Sequence, residues 1–349
     1  MVRWFVWQSD FHPGCTHFFV LVMRKTSYIS AVMRTLALPG IAGVLLAWGF
    51  KGHQEINRLA VFTLPPELFG FYKEHIRYVS EHAVDPDKRR YAFAEEAPRH
   101  FIDLDRYGDS PFDSLPKYWK DAVGKYTADT LTAHGILPWH LRASLASLTK
   151  AFRERDVNRV LKTSADLGHY MADAHVPLHC TRNYNGQLTN QHGIHGLWET
   201  RLPELFFNSY DPITARARYI ADKDSLIWLV LAESYSMVDS VLRLERELDQ
   251  EFPAHRKYAL EEKGGQLVKV YSQDYSTAYH QRLSGMVENR LRMSAYRVGC
   301  FWYTAWVDAG MPDYKSLDSV VLVSDEDVES RKLDSAFLNR SSAVHGHID

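Results

Sequence analysis

Residues 166–180 read DLGHYMADAHVPLHC, and residues 192–202 read HGIHGLWETRL. Together they set out His169-x3-Asp173-x5-His179, followed by His195-x3-Glu199. Upstream, Val157, Val160, Leu161, Ala165, Leu167 and Met171 recur at helical offsets across Arg153–Ala174. At 3.6 residues per turn, His169 and Asp173 share one face of that helix. Pro177 ends it, which leaves His179 in a turn that can fold back. His195 and Glu199 repeat the four-residue step at the start of a second predicted helix. One such pair is ordinarily the polar face of a surface helix. Two pairs with a third histidine between them supply the imidazole and carboxylate donors that a borderline cation such as zinc requires.

The remainder of the chain describes an ordinary globular protein. Apolar residues make up 46% of its 349 positions and charged residues 24%, which is ample for a packed core. No repeat, low-complexity tract or Gly/Ser/Pro linker divides it. Helical patterns cover Gln54–Thr63, Pro65 to about Ala83, Leu137–Phe152, Ser225–Leu248 and Gln281–Ala309, and few strands are expected. Asp85–Arg90 (DPDKRR) reads as a charged turn, and Pro98–Asp105 is a short stretch rich in possible ligands. The fold class is therefore all-α: a single helical domain over residues 48–313, with a polar tail at 314–349.

The first 47 residues are different in kind. Arg3, Arg24, Lys25 and Arg34 face one acid, Asp10, and Leu36–Ala47 is a short apolar run. This is the pattern of a signal peptide cut near Ala47, with residues 1–22 an over-called start before Met23; an uncleaved anchor is the alternative. The run is too short to span a bilayer, and Arg34 interrupts any longer one. The expected product is secreted or periplasmic, has no transmembrane span and begins at Trp48. It retains 37 basic against 42 acidic residues, a charge unsuited to tracking nucleic acid by phosphate neutralisation alone. Of three cysteines, Cys180 and Cys300 remain; in an oxidising compartment they are candidates for a disulfide, and Cys180 beside His179 is a candidate ligand.

Taken in order, Trp48-x4-His53, Asp85, His100 in His-Phe-Ile-Asp, His169-x3-Asp173-x5-His179 and His195-x3-Glu199 resemble one superfamily. This is the trinuclear-zinc phosphodiesterases, comprising bacterial zinc-dependent phospholipases C and fungal and plant single-strand-specific nucleases. The resemblance covers roughly residues 48–203. It implies three Zn2+ ions: one on Asp85, His100, His169 and Asp173; one on His179, His195 and Glu199; and one on the amine and carbonyl of Trp48 with His53 and a shared oxygen of Asp173. Signal cleavage would then complete the site, because only a cut chain has a free amine at Trp48. Asp87 is the alternative to Asp85, and His192 the alternative to His195. His134, His140 and His175 fall outside the pattern.

The implied reaction is attack on phosphorus by zinc-activated water, with Lys88, Arg89 and Arg90 offsetting the charge that develops. Asp103 is the candidate for orienting water, or alternatively a support for a ligand. Phe101 is the candidate for stacking on a base or lining a lipid cleft, or alternatively a core residue. The substrate is single-stranded nucleic acid or phospholipid. The Trp48–His53 and Asp85–His100 intervals favour the nuclease branch, narrowly. Glu199 and the short His179–His195 gap favour the phospholipases. A non-catalytic helical zinc-binding protein is the reading from another class, and no stable protein partner is indicated.

Overall fold

The computed structural model describes residues 50–263 and 265–314. The presequence, Trp48 and the tail beyond Tyr314 lie outside the described residues.

Helix α1 (Phe50–Thr63) is followed by α2 (Pro66–Glu74), which opens on Pro65-Pro66, where a fixed φ suits a helix start. The chain then runs through α3 (Ile76–Glu81), a 3-10 turn at His82–Val84 and α4 (Asp85–Arg89). The single helix expected over 65–83 is thus broken at His75, and the expected charged turn is itself one helical turn. Short helical segments at Pro111–Ser114, Trp119–Tyr126 and Ala128–Ala133 lead to α5 (Leu137–Glu154).

Helix α6 (Val157–Asp173) starts later than the sequence periodicity indicates. Arg155 takes a left-handed conformation (φ 56°), and Asp156 caps the new helix by accepting from Arg159 N–H at 3.0 Å, an interaction of about 1 kcal/mol. Helix α7 (Lys223–Glu251) is capped in the same way by Asp222. By length and composition α7 is apolar enough to cross a bilayer, but Ile227, Val230, Leu231, Val241 and Leu248 are buried within the protein.

Two antiparallel strands follow, β1 (Tyr258–Lys263) and β2 (Gln266–Tyr271), in the register Tyr258↔Tyr271 and Leu260↔Lys269. The hairpin was not legible in the sequence. Helices α8 (Gln273–Arg282) and α9 (Met286–Asp308) complete the described chain. They divide the long pattern seen at 281–309 at Gly285, whose φ is 78°.

The larger core joins α1, α5, α6, α7 and α9. At its centre, Trp302 of α9 stacks on Tyr72 of α2 with ring centres 4.6 Å apart. Its indole donates to the carbonyl of Ser164 in α6 at 3.1 Å. Two glycines let the helices approach this closely. A Cβ at Gly168 would lie 1.9 Å from Asn57 Oδ1, and one at Gly299 would lie 1.8 Å from Thr63 Oγ1. Asn57 uses the contact, donating across to Val79 O at 3.0 Å and Ala165 O at 3.1 Å. A second core gathers Ile194, Leu197, Trp198, Tyr271, Tyr275 and Tyr279. There Arg201 donates to Tyr271 O at 3.1 Å and to Glu261, so the hairpin braces the segment that carries His195 and Glu199.

The cysteines do not pair. Cys180 and Cys300 are both free and buried. Cys180 takes no part in the ligand groups described below, and burial pushes its thiol up to about 12.

Candidate metal centre

Close contact between α1 and α6 at Gly168 lays the ring of His53 on that of His169, with centres 4.1 Å apart. One helical turn beyond His169, Asp173 turns both oxygens inward. Its Oδ1 is 3.6 Å from His53 Nε2, and its Oδ2 is 2.9 Å from His100 Nδ1 and 3.3 Å from His169 Nε2. His100 closes the 3-10 turn Ala97–Arg99, and His179 lies in the turn Pro177–Cys180 that follows α6.

The His195–Glu199 pair sits on a π-helical turn, Gly196–Arg201, rather than an α-helix start. Glu199 Oε2 lies 2.6 Å from His195 Nε2 and 3.2 Å from His179 Nε2, while Oε1 reaches His53 Nε2 at 3.3 Å. Glu199 therefore links two groups of ligands, as Asp173 does.

Among the described residues, three groups bring donor atoms within 4.8 Å of one another: His53, His169 and Asp173; Asp87, His100 and His169; and His179, His195 and Glu199. Asp87, not Asp85, joins His100 and His169: its Oδ1 is 3.6 Å from His100 Nδ1 and from His169 Nε2. Asp85 turns instead to His82 at 2.6 Å and Lys88 at 3.5 Å. The two acids are two residues apart on α4, roughly 200° around the axis, so only one can face the site. His195 rather than His192 enters the third group; His192 is exposed, and its carbonyl accepts from Tyr271.

The donor set suits zinc. It comprises five imidazoles and three carboxylates, the nitrogen-and-oxygen chemistry that zinc takes. Three of the rings are oriented by backbone carbonyls. His169 Nδ1–H donates to Ala83 O at 2.8 Å, His179 Nδ1–H to His100 O at 2.6 Å and His195 Nδ1–H to Tyr184 O at 3.3 Å. Each bond fixes Nδ1 on the main chain and turns Nε2 to the carboxylates, as the nitrogen a metal would take, the usual support of a metal-binding histidine. Buried carboxylates of this kind select for positive charge. Burial would lower His169 and His179, yet Asp173 with Asp87 or Glu199 raises each to about 9. Burial likewise pushes Asp173 and Glu199 up, but the surrounding imidazoles hold both well below the usual carboxylate range.

The chain matches the family model for zinc-dependent phospholipase C over residues 52–261. The protein belongs to the zinc-dependent phospholipase C family. It is therefore a zinc-dependent hydrolase of phosphoric diester bonds, and its three donor groups are consistent with three zinc ions. No individual curated protein matches the chain.

Within this member of the zinc-dependent phospholipase C family, several residues expected to meet substrate are placed otherwise. The Arg89 guanidinium is buried, 3.0 Å from Asp166 and 3.5 Å from Glu96, and donates to Tyr170 at 3.2 Å. Despite burial, those neighbours hold it charged. Lys88 pairs with Asp85, and Arg90 lies 3.6 Å from Asp87. Phe101 is 5% exposed, its carbonyl accepting from Leu137 N–H, and it packs on Gly135. Asp103 is buried, with its N–H bonded to His134 O. Burial and then Asp105 push its carboxyl up to about 7. Of the other histidines, His140 meets Tyr170 edge-on and His175 contacts Arg297. The carbonyls of Ala83, His100 and Tyr184 that aim the ligand rings carry no residue-type signal, so no reading of side chains finds them.

Proposed function

We propose that this phosphodiesterase acts on the head-group ester of a phospholipid. The observation that supports this is an apolar cleft set directly against His53 and Glu199, walled by Ile56, Val176, Trp198, Pro203, Val287 and Leu291. Such walls suit the apolar part of a lipid, and Arg290, which also lines the cleft, is paired with Glu233. Lys88 and Arg89 are each matched to a carboxylate outside the donor groups, whereas a nucleic-acid groove uses its cations on phosphates. Selection of Asp87 over Asp85 also removes one of the two intervals that favoured a nuclease. The Trp48–His53 interval is the support the nuclease reading keeps.

Bound zinc supplies a Lewis acid for the phosphoryl oxygens and an activated water. The chain's own part is to orient five imidazoles through carbonyls and carboxylates, to exclude water with the cleft walls, and to hold a proton on Asp103 near neutral pH. We further infer that cleavage after Ala47 exposes the Trp48 amine as a ligand beside His53, in a secreted or periplasmic product.

The test is hydrolysis by the zinc-loaded chain beginning at Trp48 of phosphatidylcholine in mixed micelles, against single-stranded DNA and RNA. Faster release of phosphocholine than of nucleotides supports the lipid reading. Preferential cutting of single strands replaces it with the nuclease.

A further inference from the structure

His100 turns Nδ1 to the carboxylates of the site, where His53, His169, His179 and His195 turn Nε2. Its Nδ1 faces Asp173, His169 and Asp87, so its other nitrogen, Nε2, points away from the ligands into the interior. That atom is buried and makes no hydrogen bond. Glu96 Oε1 lies 3.7 Å from it. The Glu96 side chain is 2% exposed, yet its carboxylate is closely surrounded. Tyr170 O–H donates to Oε1, Arg99 Nη1 donates to Oε2 at 2.7 Å, and Arg89 Nε stands 3.5 Å away. Arg89 is in turn anchored to Asp166 at 3.0 Å.

We propose that Glu96 is the positioning residue for His100. Resting on the zinc reading of the site, it accepts the Nε2 proton of His100 and so leaves the Nδ1 lone pair for metal in the Asp87, His100 and His169 group. The physical reason is direct. An imidazole that ligates through one nitrogen must carry its proton on the other, and a buried N–H with no acceptor is costly. A carboxylate is the strongest acceptor available, and one this deep persists only if it is itself paired. Arg89, Arg99 and Tyr170 provide that pairing. Arg89 thereby gains a role that its burial denies it as a phosphate contact: it is the counter-charge that keeps Glu96 ionised and aimed at His100.

The test is chelator titration of the zinc-loaded protein, with zinc counted by metal analysis and packing followed by near-ultraviolet circular dichroism. Wild type comes first, and a folded wild type that holds no zinc removes the zinc reading itself before any variant is made. In Glu96→Ala, one zinc is expected to leave at roughly 10–100-fold lower chelator than in wild type, with the others retained. Glu96→Gln, whose carbonyl still accepts, should fall between the two. Wild-type retention of every zinc in Glu96→Ala overturns the proposal. Loss of all zincs together with the near-ultraviolet signal also overturns it, since Glu96 would then serve the fold at large. If neither variant folds, Arg99→Ala decides, because that side chain is 35% exposed: selective loss of one zinc supports the proposal and unchanged release overturns it.

Discussion

His179 donates from Nδ1 to the main-chain carbonyl of His100 across 2.6 Å. The carbonyl of His179 accepts in return from Ile102 N–H at 2.9 Å. A ligand of one group is thus aimed by the backbone that bears a ligand of another. His179→Ala removes a donor and also this brace, so zinc content should fall by more than one ion per chain. Metal analysis of the purified variant checks this; loss of a single zinc would show that the groups are independent.

Asp87 and Asp85 separate by the same measurement. Asp87→Asn takes a carboxylate from the group with His100 and His169, and should lower affinity for one zinc by at least tenfold. Asp85→Asn disturbs the contacts with His82 and Lys88 and the attraction to Arg89, none of which is in a donor group. It should keep its zinc and lose no more than about 1–3 kcal/mol of stability. The reverse pattern would restore Asp85 as the ligand.

Gly168→Ala probes how the helices set the site. Its methyl group meets Asn57 Oδ1 and forces α1 from α6, at a cost of about 1–3 kcal/mol for overpacking. His53 lies on one of these helices and His169 on the other. Zinc affinity should therefore fall along with the melting temperature, and an unshifted melting curve would contradict the packing described.

Asp103 predicts a pH dependence. Its carboxyl is raised from 3.8 to about 7 by burial and then by Asp105, against the pull of Arg106 and Arg182. A raised acid binds its proton more tightly when folded. Its contribution to stability is therefore complete below pH 3.8 and is lost as pH rises toward about 7. In zinc-free protein, Asp103→Asn should flatten the decline in melting temperature across that window. A profile parallel to wild type would mean that Asp103 titrates normally.

By itself the sequence determined the helical class and named most of the residues that the fold gathers into the three donor groups. Periodicity of 3.6 residues places His169 and Asp173 on one face, Pro177 stops the helix, and a four-residue step joins His195 to Glu199. These are short-range consequences of backbone geometry and survive without knowledge of neighbours. What depended on neighbours was decided by the tertiary structure. Asp85 and Asp87 occupy one turn of helix, and only the packing of α4 against α6 selects which of them faces the histidines. Arg89 and Phe101 have the residue types of substrate contacts, yet partners some 30–80 residues distant in sequence, Asp166 and Tyr170 for one and Leu137 for the other, bury them. Glu96 carries no motif, and its relation to His100 rests on Tyr170 and Arg89 arriving from other elements. A pattern of residue types records which donors a metal can use; the fold decides which of them meet, because that choice lies in the long-range contacts that bury some charges and aim others.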